Sequence, residues 1–276
     1  MTRSTIVSKT NRELRNALQK MPPFPETLPR LAQAIKDQES TDKLANILKN
    51  DPALATIVLK LAQSPFYRRA YEINDIFDAT QMLGTRTLLN ICSAAFLCQV
   101  VQSPLRAYGI EPATFLKHSL ATAYCARIIA DVHKHPRPNT TYTAALLHDI
   151  GKLVITKMVD KQNVFNDNVL ITERDLCGWD HPTAGYELAR KWQLPNLISM
   201  GIRYHHDPTT APHHRHLCAI VYTANKIAQY SNFSTHNNDI TQQQILHNPI
   251  IIQMGITSSS LNKLKDILQE TIHNLI

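Results

Sequence analysis

The sequence has 276 residues, of which 43% are hydrophobic and 18% are charged, and its formal net charge is +7. This length and composition can supply a buried core of ordinary size. The low number of glycines, 7 in all, favours helices over hairpins. No apolar run approaches the ~20 residues of a membrane span, and the polar start, Met1 to Arg12, lacks the apolar core of a signal peptide. The basic residues are scattered, so we do not expect a nucleic-acid partner.

The first half of the chain has the pattern of amphipathic helices. Residues 1 to 20 are predicted as a polar lead-in, and residues 21 to 104 as an N-terminal helical lobe. Within this lobe Asp51-Pro52 has the sequence of a helix N-cap followed by proline at the first helical position. Gly84 predicts the end of a helix that starts at Ile73, after which a second helix begins.

The second half continues with helical spacing and no sustained strand alternation. We predict a second helical lobe over residues 105 to 235, and a C-terminal extension over residues 236 to 276 with one or two helices. The fold class is therefore predicted to be all-α, with two packed lobes joined near residues 102 to 112.

The spacing of the cysteines indicates the cellular compartment in which the protein is expected. They are Cys92, Cys98, Cys125, Cys177 and Cys218. They show no CxxC spacing, and three of them lie in apolar helical stripes. We expect core thiols rather than zinc ligands, and a cytoplasmic location without a membrane.

A His-Asp pair, His148-Asp149, closes the apolar run that starts at Ala144. A buried carboxylate beside a buried imidazole is unfavourable unless it is paired or coordinates a cation. Further imidazoles lie at predicted helix ends or beside predicted turns: His118, His181, His205 and His206. Such ligands suit iron, manganese, nickel or zinc, and the sequence does not select among these divalent metals. A metal-free polar network around Asp149 is the open alternative.

Lys152 lies one turn beyond the His-Asp pair. A compact cation at this place is a candidate contact for a phosphate. The alternative is a solvated lysine at a helix end. The remaining histidines, His133 and His135 in a proline-broken loop and His213, His214 and His216 in another, are expected at the surface.

Two sets of motifs carry a resemblance. The chain resembles the HD superfamily of metal-dependent phosphohydrolases in the order of its ligand-type residues, which is His118, then His148-Asp149 followed by Ile-Gly-Lys, then His181, then His205-His206. The last three of these four features resemble the HD-GYP branch. The segments NDPALATIVLKLAQSPFY and ATQMLGTRTLLNICSAA resemble the HDOD domain, the HD-related output domain of bacterial signalling proteins. This second resemblance covers roughly residues 20 to 230.

The resemblance implies two metal positions. His118, His148 and Asp149 belong to the first, and Asp149 with His181, His205 and His206 to the second. The first position normally ends with an aspartate on a later helix, and the segment IVYTANKIA places Asn225 there. A neutral amide weakens the first position and spares the second. The GYP motif is replaced by Asp207-Pro208-Thr209, which argues against cyclic-di-GMP hydrolysis.

Two functions follow from this resemblance. The first is a bacterial HDOD signalling module with an HD-type divalent-metal site, acting mainly through a protein partner. The alternative is a metal-dependent phosphohydrolase or phosphodiesterase acting on a nucleotide or other phosphoester, with Asp149 and Lys152 as catalytic residues. The sequence identifies neither the partner nor the substrate, and it does not give the oligomeric state.

Overall fold

The computed structural model describes residues 3–64, 73–159, 165, 168–235 and 240–275. The end of the segment NDPALATIVLKLAQSPFY, residues 65–67, lies outside these ranges. Within them the chain forms α-helices, two short 3₁₀ helices and no strand beyond one isolated bridge between Leu105 and Ile110. The prediction of an all-α protein is confirmed. None of the helices in these ranges has the length and apolar character needed to cross a membrane.

The helices follow one another in this order: α1 (Arg3–Gln19), α2 (Thr27–Lys36), α3 (Thr41–Lys49), α4 (Pro52–Ala62), α5 (Ile76–Val100), α6 (Pro112–Val132), α7 (Pro138–Leu146), α8 (Gly151–Thr156), α9 (Val169–Cys177), α10 (His181–Lys191), α11 (Asn196–Arg203), α12 (Arg215–Tyr230), α13 (Gln242–Leu246), α14 (Pro249–Gln253) and α15 (Ser258–Leu275). The 3₁₀ helices are Arg106–Tyr108 and Pro208–Thr210.

The chain divides into two compact units. The larger comprises Met1–Pro23 and Val101–Leu268, and the smaller comprises Phe24–Val100 and Gln269–Ile276. The first 23 residues therefore belong to the same unit as the His-Asp pair. The four-part scheme with boundaries at residues 20, 104 and 235 stays a prediction.

Local caps and one glycine set several helix ends of the smaller unit. The Asp51 carboxylate accepts a hydrogen bond from the backbone N–H of Leu54 at 3.0 Å and Pro52 opens α4, as the sequence predicts. Gly84 has φ 68° and ψ 163°, a non-helical conformation that breaks α5 at the predicted place. The preceding helix begins at Ile76 and not at Ile73, because the Asp75 carboxylate accepts from the N–H of Asp78 at 2.8 Å and caps the first turn.

The larger unit is built on three helix pairs. Helix α6 packs against α7 and α12, and α8 packs against α10. A Cβ added at Gly151 would lie 1.9 Å from the carbonyl oxygen of His181 and 2.5 Å from the nitrogen of Gly185. The missing side chain therefore allows α8 and α10 to approach closely, which brings the start of α8 next to His181.

The C-terminal region contains three helices in the described ranges, α13 to α15, where the sequence predicts one or two. The Thr241 and Gln244 side chains form a capping box at the start of α13. The Asn248 side chain accepts from the N–H of Ile250, and Pro249 opens α14. The apolar spacing of the C-terminal region shows a single helical pattern, and these local caps divide the region into separate helices.

Candidate metal centre

The His-Asp pair lies in the turn between α7 and α8, and both side chains are buried. The Nδ1–H of His148 donates to the carbonyl oxygen of Ala145 at 2.7 Å. This bond fixes the ring and leaves the Nε2 lone pair directed inward. The turn places the Asp149 carboxylate beside it, 3.6 Å from that Nε2.

Two other histidines are held in the same way. In His205, just after α11, Nδ1–H donates to the carbonyl oxygen of Ile202 at 2.7 Å. In His118, on α6, Nδ1–H donates to the carbonyl oxygen of Phe233 at 2.6 Å. A carbonyl accepts and cannot donate, so each of these imidazoles has its proton on Nδ1 and its lone pair on Nε2. This is the usual arrangement of metal-binding histidines.

His181 is held by a carboxylate instead. Its Nδ1 lies 2.9 and 3.0 Å from the two oxygens of Glu173, and its backbone N–H donates to Glu173 Oε2 at 2.8 Å. The hydroxyl of Tyr108 donates to Glu173 Oε1 at 2.5 Å. Glu173 has 0% exposure. The N-cap Asp180, whose carboxylate accepts from the N–H of Thr183 at 2.9 Å, fixes the start of α10 and thereby the backbone of His181.

Glu173 and Tyr108 are not among the site residues predicted from the sequence. Glu173 follows Leu170 by three residues and precedes Cys177 by four, so it shares a helix face with apolar residues, and this spacing was the available sign of burial. For Tyr108 the sequence offers no comparable sign. Its partner is 65 residues away in the sequence, and local patterns do not reveal such a contact.

The ligand atoms form two groups that meet at Asp149. Each group has its ligand atoms within 4.8 Å of one another, and their members are His118, His148 and Asp149 in the first and His181, His205 and His206 in the second. Asp149 Oδ2 lies 3.5 Å from His118 Nε2, whereas Oδ1 lies 3.2 Å from His181 Nε2 and 3.6 Å from His205 Nε2. The two oxygens of one carboxylate thus face different groups.

The spacing within each group is that of neighbouring ligands. The Nε2 atoms of His118 and His148 are 3.1 Å apart. His181 Nε2 is 3.3 Å from His205 Nε2 and 3.1 Å from His206 Nε2. His206 is exposed, while the other five ligand-type residues are buried. The second group therefore reaches solvent through His206.

Burial sets the protonation of three imidazoles. It lowers the pKa of His118 to about 4, and it also lowers the pKa values of His148 and His205. All three are therefore neutral near pH 7, the form that binds metals.

His181 differs from the other three. Burial alone would lower its pKa, but the carboxylates of Glu173 and Asp149 outweigh burial and raise the pKa to about 9. Burial would likewise raise the pKa of Asp149, but the Lys152 ammonium and a hydrogen bond from His181 outweigh burial and hold the pKa well below its usual range. The centre thus contains an ionised carboxylate beside several imidazole nitrogens, a donor set that fits a divalent transition metal.

The Lys152 side chain is buried beside the His-Asp pair. It is 2% exposed, and its Nζ donates to Asp149 Oδ2 at 2.7 Å and to Thr235 Oγ1 at 3.2 Å. The same nitrogen lies 5.8 Å from the ring centroid of Tyr108. The alternative of a solvated lysine is therefore wrong, and the role as a phosphate contact stays a prediction.

Asn225 lies on α12 with 4% exposure. Its Oδ1 accepts a hydrogen bond from Gln229 Nε2 at 3.0 Å. In the described part of the chain no hydrogen bond joins it to His118, His148 or Asp149. Its assignment as a ligand stays a prediction.

The other loop histidines are not all solvent-facing. His133 and His135 are half-buried, and both rings contact exposed His216 with centroids 5.5 Å away. The Nε2–H of His133 donates to the carbonyl oxygen of Met254 at 3.1 Å. The expectation of a surface position therefore holds for His213, His214 and His216 and is wrong for the other two.

The fold and this centre define an all-helical protein with a buried histidine-aspartate cluster. The family model of the HDOD domain matches residues 21–208, which is more than half of the chain. The chain therefore belongs to the HDOD domain family.

Solved structures share this fold. An HDOD domain protein of unknown function from Geobacter sulfurreducens is 24% identical, with a TM-score of 0.72 over 98% of this chain and 96% of that one. A candidate signal transduction protein from Marinobacter aquaeolei VT8 is 18% identical, with a TM-score of 0.72 over 97% of this chain and 64% of that one. A candidate metal-dependent phosphohydrolase from Shewanella amazonensis SB2B is 17% identical, with a TM-score of 0.61 over 97% and 98%.

A curated relative gives a further match. An uncharacterized protein of Treponema pallidum (strain Nichols) is 25% identical over 243 residues, which is 84% of this chain and 46% of that protein. The chain thus spans about half the length of the curated relative that it matches.

Proposed function

We propose that this chain is a bacterial signalling module that carries one HD-type divalent-metal centre and acts mainly through a protein partner. The observation that carries the metal assignment is the convergence of three Nε2 atoms, those of His181, His205 and His206, beside Asp149 Oδ1. Membership of the HDOD family supports the signalling role, as does the shared fold with a candidate signal transduction protein. Five free cysteines support a cytoplasmic location.

The residues of this chain have separate tasks in the proposed site. Glu173 orients His181 and increases its basicity, and the carbonyl oxygen of Ile202 does the same for His205. Asp149 supplies the negative charge, and exposed His206 leaves a route from solvent. A bound iron, manganese, nickel or zinc ion would supply Lewis acidity at this place.

The second candidate function is hydrolysis of a nucleotide or other phosphoester. The observation that favours it is the exposure of His206, because a phosphate could then approach the second group from solvent. Lys152 and Asp149 are the proposed catalytic residues. Lys152 would have to leave Asp149 Oδ2 in order to contact a phosphate, since its ammonium already donates to that oxygen.

Elemental analysis of the purified protein, followed by assays with p-nitrophenyl phosphate and bis-p-nitrophenyl phosphate, tests the proposal. We expect bound metal in the wild type, its loss in His205→Ala and no measurable turnover. His213→Ala is the matched control, because that histidine is exposed and outside both groups. Absence of metal from the wild type contradicts the metal site, and turnover that disappears in Asp149→Asn favours the second function.

A further inference from the structure

The Lys152 ammonium sits on the side of Asp149 that the first group uses. Its Nζ is 2.7 Å from Asp149 Oδ2, the same oxygen that lies 3.5 Å from His118 Nε2 and 3.6 Å from His148 Nε2. Among the residues that the structure describes, Asp149 is the one carboxylate of the first group. An ion bound there would therefore share its single anionic ligand with a fixed positive charge.

Lys152 is held firmly in this position. It is buried, and its second donor bond goes to Thr235, which is also buried. The Tyr108 ring also lies near the ammonium, with its centroid 5.8 Å from Nζ. A buried ammonium that leaves its carboxylate loses much of its compensation, so the contact resists displacement.

The second group has the opposite electrostatic setting. It faces Asp149 Oδ1, and a second carboxylate, Glu173, stands behind His181. The family resemblance places a further carboxylate at residue 225 for the first group, but this chain has Asn225. With His181 neutral, as metal binding requires, the negative charge of the centre is concentrated toward the second group, and the positive charge of Lys152 toward the first.

We propose that Lys152 takes the electrostatic place of a first metal ion, so that the centre binds one divalent ion tightly, at His181, His205, His206 and Asp149 Oδ1. The inference rests on the metal binding proposed above and deepens it. It has a chemical consequence, because a pair of ions that clamps both the attacking and the leaving oxygen of a phosphoester is then not available. The centre fits a structural or sensory ion better than a two-metal phosphodiesterase.

Neutral substitutions of Lys152 test the inference. Metal-free protein is titrated with Mn²⁺, and bound ions per chain are measured by equilibrium dialysis and elemental analysis. We expect one tight ion in the wild type and in Lys152→Arg, which keeps the charge. In Lys152→Met and Lys152→Gln the affinity for a second ion should rise by roughly 100-fold, because a unit charge a few ångströms away is removed.

Electron paramagnetic resonance adds a readout independent of stoichiometry. A single Mn²⁺ gives a six-line spectrum, whereas two neighbouring ions couple and broaden it. We expect coupling in Lys152→Gln, and its loss when His118→Ala is added. Melting temperatures identify the variants that fold. If one of the two neutral variants does not fold, the other still tests the inference.

The outcomes separate the two proposals. One ion in the wild type and in both neutral variants overturns the role of Lys152 and leaves the metal site intact. Two tight ions in the wild type also overturn that role. No ion in any variant overturns the metal site itself, and the inference about Lys152 with it.

Discussion

Replacing Glu173 with glutamine removes the carboxylate that holds His181. In the structure its two oxygens accept from His181 Nδ1 at 2.9 and 3.0 Å, from the His181 backbone N–H at 2.8 Å and from the Tyr108 hydroxyl at 2.5 Å. Glutamine has nearly the same shape but keeps only one acceptor oxygen. Its amide group would face a donor of His181.

The size of the effect follows from these bonds. A buried donor without an acceptor destabilises by about 1 to 3 kcal/mol, which we expect in the free energy of unfolding. Loss of the carboxylate behind a ligating imidazole should weaken metal binding by about 10- to 100-fold, or about 1.4 to 2.7 kcal/mol. Metal binding is expected to weaken because the imidazole loses both basicity and a fixed orientation.

The assay is a competition between the protein and a chelator for Mn²⁺ or Zn²⁺ at constant pH. Glu187→Gln is the matched control, since Glu187 lies on α10, is partly exposed and pairs with Arg190. We expect the control to bind metal like the wild type. Metal affinity in Glu173→Gln equal to that of the control, with the fold intact, would refute the orienting role of Glu173.

Three further changes have expected outcomes. Metal-free protein should be most stable near pH 6.5. Below this pH stability falls, because His118 takes up a proton in the unfolded chain but, with a pKa of about 4, not in the folded one. Between pH 6.5 and about 9 stability also falls, because His181 loses its proton in the unfolded chain but keeps it in the folded one. Denaturant titrations from pH 4 to 9 measure this, and a flat profile contradicts it. Gly151→Ala should lower stability by about 1 to 3 kcal/mol and weaken metal binding, because its Cβ would overlap the His181 carbonyl; an unchanged melting temperature contradicts it. Asn225→Asp in the Lys152→Met background should tighten binding of the second ion, whereas an unchanged affinity for that ion with a lowered melting temperature shows that residue 225 is not a ligand.

The sequence by itself determined the features that depend on near neighbours. The Asp51 cap and the break at Gly84 each involve groups within a few residues, so a local pattern suffices to predict them. It also marked His118, His148, Asp149, His181, His205 and His206, because polar residues of ligand type beside apolar runs are unusual, and the structure brings all six together.

Only the tertiary structure decided how these residues are paired. The bond between Lys152 and Thr235 spans 83 residues and that between Tyr108 and Glu173 spans 65, so nothing in either local sequence indicates its partner. Whether a lysine near a helix end is solvated or buried depends on the packing around it, and here its ammonium donates to a carboxylate inside the core. The charge distribution of the centre follows from that packing, since α8 reaches α10 at Gly151, where no side chain keeps the two backbones apart.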